Sequence, residues 1–120
     1  MTATDLVKDY FQLWATTDDE QRHRLAGKVF ATTATQYVAP ADITLQGAEA
    51  IEANIARINR ENIQTAGLHF RQGATTPNHN SVQVEWEVAD SSGNTVGTGR
   101  DFLLLDDNGR VTALYMFRGQ

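Results

Sequence analysis

The fold class of this chain follows from residues 81–118, which have the sequence SVQVEWEVADSSGNTVGTGRDFLLLDDNGRVTALYMFR. Hydrophobic and polar residues alternate in three segments, which are separated by residues 91–94 (SSGN) and by Asn108-Gly109. Alternation with a period of two is typical of a strand with one buried face, and Asn-Gly between two such segments indicates a hairpin turn. The stretch therefore predicts three consecutive antiparallel strands.

The two turns also predict which side chains share a face of this sheet, because turn length determines how the flanking strands pair. We take residues 91–94 as a four-residue loop and Asn108-Gly109 as a two-residue loop. One face, the inner face, is then almost wholly apolar and comprises Val82, Val84, Trp86, Val88, Asp101, Leu103, Leu105, Leu114 and Met116. We expect helices to cover this face.

The first half of the chain is predicted to be mostly helical. Apolar residues recur there at spacings of three and four in three segments, the last of them residues 48–62 after Gly47. A short strand over residues 35–39 lies between the second and third helices. Three helices followed by an antiparallel meander predict one α+β domain over residues 1–120, with the helices packed on one face of the sheet.

Composition excludes several classes of function. The chain has 120 residues and a net charge of −5, which argues against nucleic acid as the main partner. It has no cysteine, so a disulfide framework, a thiolate zinc site and a cysteine nucleophile are excluded. His23, His69 and His79 lack the spacing of metal ligands, and we therefore expect no metal site.

The hydrophobic segments are too short to cross a membrane. The longest unbroken apolar run is residues 102–105, whereas a membrane-spanning helix needs about 20 apolar residues. Asp5 and Asp9 lie where a secretory signal would be basic and then apolar. We therefore expect a cytoplasmic protein with no membrane partner.

Asp101 is the strongest candidate for a catalytic residue. A carboxylate on an apolar face is costly to ionise, so its pKa should be raised, and a raised pKa suits a general acid or base. The alternative is a structural aspartate that a backbone amide or a tyrosine hydroxyl satisfies. Tyr10 and Trp14 lie one helical turn apart, and Tyr10 either donates a hydrogen bond beside Asp101 or simply packs against the sheet.

Aromatic and aliphatic side chains near Asp101 are the candidate ligand-binding residues: Trp14, Tyr37, Trp86, Leu103, Leu114 and Met116. For Trp14, Tyr37 and Trp86 the alternative is ordinary packing in the core. Asp42, in the loop after Pro40, either lies at the mouth of the pocket or is simply solvated.

The opposite, outer face of the sheet carries Phe102, Leu104, Tyr115 and Phe117 among polar residues. These are too many large apolar groups to remain together in water. We therefore expect this face to form a twofold homodimer.

Four segments, in this order and spacing, resemble the SnoaL-like members of the nuclear-transport-factor-2-like superfamily: residues 6–18 (LVKDYFQLWATTD), 30–40 (FATTATQYVAP), 47–51 (GAEAI) and 100–117 (RDFLLLDDNGRVTALYMF). The resemblance implies a cone-like roll in which a strongly curved, mostly antiparallel sheet wraps round a long helix. It also implies a hydrophobic cavity inside the cone and frequent dimerisation.

Ketosteroid isomerase is one enzyme of this superfamily, and the resemblance to it places its oxyanion tyrosine at Tyr10 and its protonated aspartic acid at Asp101. Its base aspartate falls on Ala39, so steroid-type allylic proton transfer is not supported. Polyketide cyclases of the SnoaL-like family rely on one acid/base aspartate, a part that Asp101 can take.

Two hypotheses follow. In the first, the protein binds a small hydrophobic or aromatic molecule, and Asp101 with Tyr10 performs an isomerase- or cyclase-like proton transfer without metal or organic cofactor. In the second, it is a non-catalytic, dimeric ligand-binding or assembly module in which Asp101 is structural. A transport adaptor like the superfamily's namesake is a third possibility, but the sequence identifies no partner peptide.

Overall fold

A computed structural model describes residues 3–119, and they form three helices and a six-stranded sheet. The helices are α1 (Ala3–Ala15), α2 (Asp19–Val29) and α3 (Ala48–Ile58), and α3 continues as a π-helical segment (Asn59–Thr65). The strands are β1 (Phe30–Ala39), β2 (Ile43–Gln46), β3 (His69–Asn78), β4 (Ser81–Ala89), β5 (Thr95–Leu105) and β6 (Val111–Arg118). The predicted α+β class, with three helices before a mostly antiparallel sheet, is confirmed.

The strands lie in the order β2-β1-β6-β5-β4-β3, and every neighbouring pair is antiparallel except β1 with β6. Neither β2 nor the parallel pairing was predicted from the sequence. No turn connects β1 to β6, because more than 70 residues separate them, so local turn chemistry carries no information about that pairing.

Both hairpin turns contain three residues, contrary to the predicted lengths of four and two. The amide of Asp90 donates to the carbonyl of Asn94 (2.9 Å), and the amide of Asp106 donates to the carbonyl of Arg110 (2.8 Å). Gly93 has φ of 88° and ends the first loop in the left-handed conformation that such turns need.

A bulge after each turn restores the predicted pairing. On β5, residue 96 has no partner on β4, although residues 95 and 97 on either side of it are paired. On β6, residue 112 likewise has no partner on β5. Beyond the bulges Asp101 pairs with Val84 and with Met116, as predicted. The composition of the inner face around Asp101 is therefore confirmed.

The helices pack on the inner face and bury it. The side chains that are less than 2% exposed come from all layers and include Leu6, Tyr10, Leu13, Ile51, Ile55, Val82, Val84, Leu103 and Leu114. Burial of one such aliphatic side chain contributes about 1.5–3 kcal/mol to folding. None of the helices within residues 3–119 is long and apolar enough to cross a membrane.

The π-helical segment joins α3 to the end of α1. The side chain of Asn59 is fully buried, and its Nδ2 donates to the backbone carbonyl of Trp14 at 2.7 Å. Gln64 Nε2 in turn donates to Asn59 Oδ1 at 2.7 Å. The bond from Asn59 satisfies the carbonyl of Trp14, which the end of α1 leaves without a helical partner. It also holds Ile58 and Asn62 where they line the cavity described below.

Candidate functional site

The Asp101 carboxyl group is buried in the middle of β5 and accepts hydrogen bonds on both oxygens. The Tyr10 hydroxyl donates to Oδ2 at 2.6 Å, and the Trp86 indole Nε1 donates to Oδ1 at 2.8 Å. Asp101 is 2% exposed and Tyr10 is fully buried. The site therefore joins one residue from α1, one from β4 and one from β5.

These surroundings shift the pKa of Asp101 toward neutral pH. Burial raises the pKa of Asp101 to about 6, while the hydrogen bonds from Tyr10 and Trp86 lower that pKa and limit the shift. Burial also raises the pKa of Tyr10 well above its usual value, and the neighbouring carboxylate raises it further. Tyr10 therefore remains a hydrogen-bond donor, and Asp101 is the member of this pair whose pKa lies nearer to neutral pH.

The indole of Trp86 reaches Asp101 because its cross-strand partner is Gly99. A Cβ atom at Gly99 would lie 2.2 Å from Cζ2 of Trp86, so any side chain there would displace the indole. Glycine within a strand marks such a close approach. This role of Gly99 was not predicted, although a glycine at an inner-face position of a strand was a usable signal.

A cavity of about 600 Å³ opens beside Asp101, which is one of its lining residues. Its volume lies in the range of small-molecule sites. The apolar part of the wall is formed by Phe11, Trp14, Val38, Pro40, Ala41, Ile43, Ile58, Leu68, Phe70, Trp86, Val88, Val96, Gly97 and Met116. The polar lining residues besides Asp101 are Asn54, Arg57, Asn62, Thr98 and Arg118.

The structure separates the predicted ligand-binding residues into two groups. Trp14, Trp86 and Met116 line the cavity, whereas Leu103 and Leu114 are fully buried in the core and do not. Tyr10 does not line the cavity either. Its hydroxyl acts on the cavity only through the hydrogen bond to Asp101.

Tyr37 neither lines the cavity nor lies in the core, which corrects both expectations for it. Its side chain is 41% exposed on the outer face, where its ring stacks on Tyr115 with a centroid distance of 4.9 Å. Gln36 and Val38 are the buried neighbours in β1, so the alternation of the strand turns Tyr37 outward. Asp42 is exposed in the turn after β1 and does not line the cavity.

Several lining residues escaped the sequence analysis. Phe11 and Phe70 extend the aromatic wall, and Phe70 packs edge to face against Trp14 (6.0 Å) and Trp86 (6.5 Å). The alternation in β3 was a signal for Phe70. Arg57 was not a candidate, because nothing in its spacing indicated a cavity.

Metal-ligating groups do not converge within the described chain. Among residues 3–119, no three histidine, aspartate or glutamate side chains are placed to hold an ion.

Solved structures share this fold over nearly the whole chain. A candidate isomerase of the SnoaL-like family from Agrobacterium tumefaciens superposes with a TM-score of 0.83 at 22% identity, covering 98% of this chain and 97% of that one. A candidate polyketide cyclase from Sinorhizobium meliloti gives 0.66 at 20% identity, covering 93% of both chains. An NTF2-like protein of unknown function from Cytophaga hutchinsonii gives 0.73 at 16% identity, covering 98% and 90%.

The chain therefore has the nuclear-transport-factor-2-like fold, of the kind found in SnoaL-like proteins. The resemblance noted in the sequence is confirmed at the level of the fold. No protein-family model and no curated protein matches the sequence itself.

Proposed function

We propose that the protein binds a small hydrophobic or aromatic molecule in the cavity and that Asp101 exchanges a proton with it. The observation that carries this proposal is a single buried carboxyl group, held by two donors, on the wall of an otherwise mostly apolar cavity of about 600 Å³. Such a site supports isomerase- or cyclase-like chemistry without a cofactor.

Asp101 retains the capacity to act on a ligand while it accepts from Tyr10 and Trp86. Each carboxylate oxygen has two lone-pair sites, and each donor occupies one of them. With a pKa of about 6, Asp101 is mostly ionised at neutral pH and acts first as a base. It takes a proton from a C–H or O–H group of the ligand and returns it to another ligand atom.

Tyr10 and Trp86 are positioning residues in this proposal. Their hydrogen bonds orient the carboxyl group and stabilise its charge, which keeps its pKa within reach of neutrality. General acid–base catalysis by one positioned group contributes about 10²- to 10⁴-fold in rate. Position 39, where the resemblance to ketosteroid isomerase places a second aspartate, is alanine, so the proposed reaction uses one carboxyl group.

The names of two structural neighbours are consistent with this chemistry. The Agrobacterium tumefaciens protein is a candidate isomerase and the Sinorhizobium meliloti protein is a candidate polyketide cyclase. Both proteins share the fold of this chain, and we propose that this chain performs a reaction of the same kind.

A thermal-shift screen with aromatic and polyketide-like compounds tests the proposal. A compound that binds only the folded state raises the melting temperature of the wild type. Asp101→Asn should still bind that compound but should not convert it. Gly97→Leu is a cavity-filling variant, because Gly97 lines the cavity and a Cβ there meets only Val88, at 3.9 Å. Equal turnover by Asp101→Asn and the wild type would remove the acid/base role.

A second candidate function, assembly through the outer face, is supported by exposed aromatic rings. Tyr37, Tyr115 and Phe117 are 41%, 38% and 40% exposed. Phe102 packs edge to face on Phe117 at 5.7 Å, and Leu104 lies on the same face. A second copy of the chain that pairs through Phe102, Leu104, Tyr115 and Phe117 would bury these groups in a twofold dimer.

A further inference from the structure

We propose that the ligand is an apolar acid, whose anionic group is held by Arg118 and Arg57 while its apolar body extends to Asp101. This inference rests on the proposed function, since it names the chemical class of molecule that the same cavity takes. It is carried by the placement of the charged residues that line the cavity.

Arg118 lies at the next inner-face position beyond Met116 on β6. Asp101 pairs with Met116 and Gly99 pairs with Arg118, so Arg118 is a diagonal cross-strand neighbour of Asp101, at about 7–8 Å between backbone positions. Arg118 lines the cavity and is exposed, and no ion pair joins it to any side chain within residues 3–119. Its guanidinium is therefore available to an anion.

Arg57 lines the cavity from α3 and is held in place by its own neighbours. Its Nη1 donates to Glu61 at 2.9 Å, and its Nη2 donates to Asn54 Oδ1 at 2.8 Å. These bonds use at most three of its five N–H donors, so Nε–H and one N–H of Nη2 remain. Because Glu61 offsets its charge, we assign Arg57 an assisting part and Arg118 the main one.

The charges of the cavity wall oppose the charge of the whole chain. The chain has a net charge of −5, yet the charged lining residues are two arginines and Asp101. An ionised Asp101 repels a second anion from its own surroundings, and an exposed arginine attracts one. A ligand with one carboxylate is therefore oriented with its anion at the arginines and its carbon skeleton against Asp101.

The path between these two ends is clear of side chains from β5. The inner-face positions of β5 beyond Asp101 are Gly99 and Gly97, and Gly97 itself lines the cavity. The Trp86 indole lies over Gly99 and forms an apolar surface there. A flat hydrocarbon skeleton fits that surface, and the planar guanidinium matches the two oxygens of a carboxylate.

The test compares naphthalene-2-acetate with naphthalene-2-acetamide, its neutral analogue of nearly equal size, by calorimetric titration at neutral pH. The wild type should bind the acetate about tenfold more tightly than the amide. Arg118→Gln should remove most of this preference, and Arg57→Gln should remove less. Arg60→Gln is the matched control, because it makes the same change of net charge at an exposed residue outside the cavity wall.

The possible outcomes distinguish a failure of this inference from a failure of the proposed function. Equal binding of the two probes by the wild type, with both lost in Gly97→Leu, would overturn the inference and leave the apolar cavity as the binding site. An equal loss of preference in Arg118→Gln and Arg60→Gln would overturn it as well, since the effect would then be one of net charge. Failure of both probes to bind would overturn the inference, whereas the proposed function would fail only if no compound of the thermal-shift screen bound either.

Discussion

The phenolic oxygen of Tyr10 lies 2.6 Å from Oδ2 of Asp101, in a buried hydrogen bond between residues 91 positions apart in the sequence. The bond connects the first helix to the middle of the sheet. It stabilises the ionised form of Asp101 against the cost of burial. This hydrogen bond was considered in both the functional and the structural alternative for Asp101, and the structure contains it.

Replacement of Tyr10 by phenylalanine should raise the pKa of Asp101 above 6, because the Tyr10 bond lowers it. Loss of a buried hydrogen bond to a charged group should cost about 1.5–3 kcal/mol of the free energy of unfolding at alkaline pH. The cost should be smaller at acid pH, where Asp101 is neutral. Urea unfolding at both pH values measures this, with Tyr37→Phe on the outer face as the control. Equal costs at the two pH values would contradict the charge-assisted bond.

The contribution of Asp101 to the stability of the wild type should decrease as the pH rises from about 4 to about 6. The folded state raises the pKa of Asp101 from 3.8 to about 6, so it binds the proton more tightly than the unfolded state does. The stabilisation that results is complete below pH 3.8, the pKa of Asp101 in the unfolded chain. It is lost as the pH rises through about 6, the pKa in the folded state, and the total loss is about 3 kcal/mol.

Asp101→Asn should abolish this pH dependence, because an amide can accept from Trp86 and donate to Tyr10 at every pH. The measurement is the free energy of unfolding of wild type minus variant between pH 4 and pH 8. Asp42→Asn removes one exposed carboxyl group in a turn and serves as the control. A difference that stays constant across this range would show that Asp101 titrates outside it.

Gly99→Ala should displace the Trp86 indole and break its bond to Asp101 Oδ1, since the added Cβ would lie 2.2 Å from the indole. We expect a shifted tryptophan emission spectrum and a higher pKa for Asp101. Gly97→Ala is the matched control, because its Cβ meets only atoms at 3.9 Å. Identical spectra for Gly99→Ala and the wild type would show that glycine is not required beneath the indole.

If the outer face forms the dimer proposed above, Tyr115→Glu should yield a monomer in analytical ultracentrifugation, because it places a charge among the exposed rings of that face. Phe102→Glu should do the same. Lys28→Glu, an exposed change on α2, should leave the dimer intact. A monomeric wild type at all accessible concentrations would contradict assembly through this face.

Much of the fold follows from local sequence signals. The alternation in β4 and β5 predicted the inner face, and that face placed Asp101 correctly. Its pairing with Met116 was predicted from a turn length that was one residue too short. The bulge at residue 112 compensated for that error, because each insertion shifts the register by one residue.

The rest of the site depends on contacts between distant segments. Tyr37 was misplaced because its face is set by the parallel pairing of β1 with β6, which leaves no local signal. Arg118 lines the cavity because β6 continues past Met116 in the same alternation. Whether such a residue faces a cavity or bulk water depends on the residues of the opposite wall. Part of that wall is the π-helical end of α3, which was not predictable from periodicity.

The most direct test is a titration of the Asp101 carboxyl carbon by ¹³C NMR, with the resonance assigned by its absence in Asp101→Asn. The account predicts a midpoint at a pH of about 6 that moves when an aromatic ligand saturates the cavity. A midpoint near 3.8, unchanged by every ligand that stabilises the protein, would mean that Asp101 is an ordinary ionised side chain and not the group that exchanges protons.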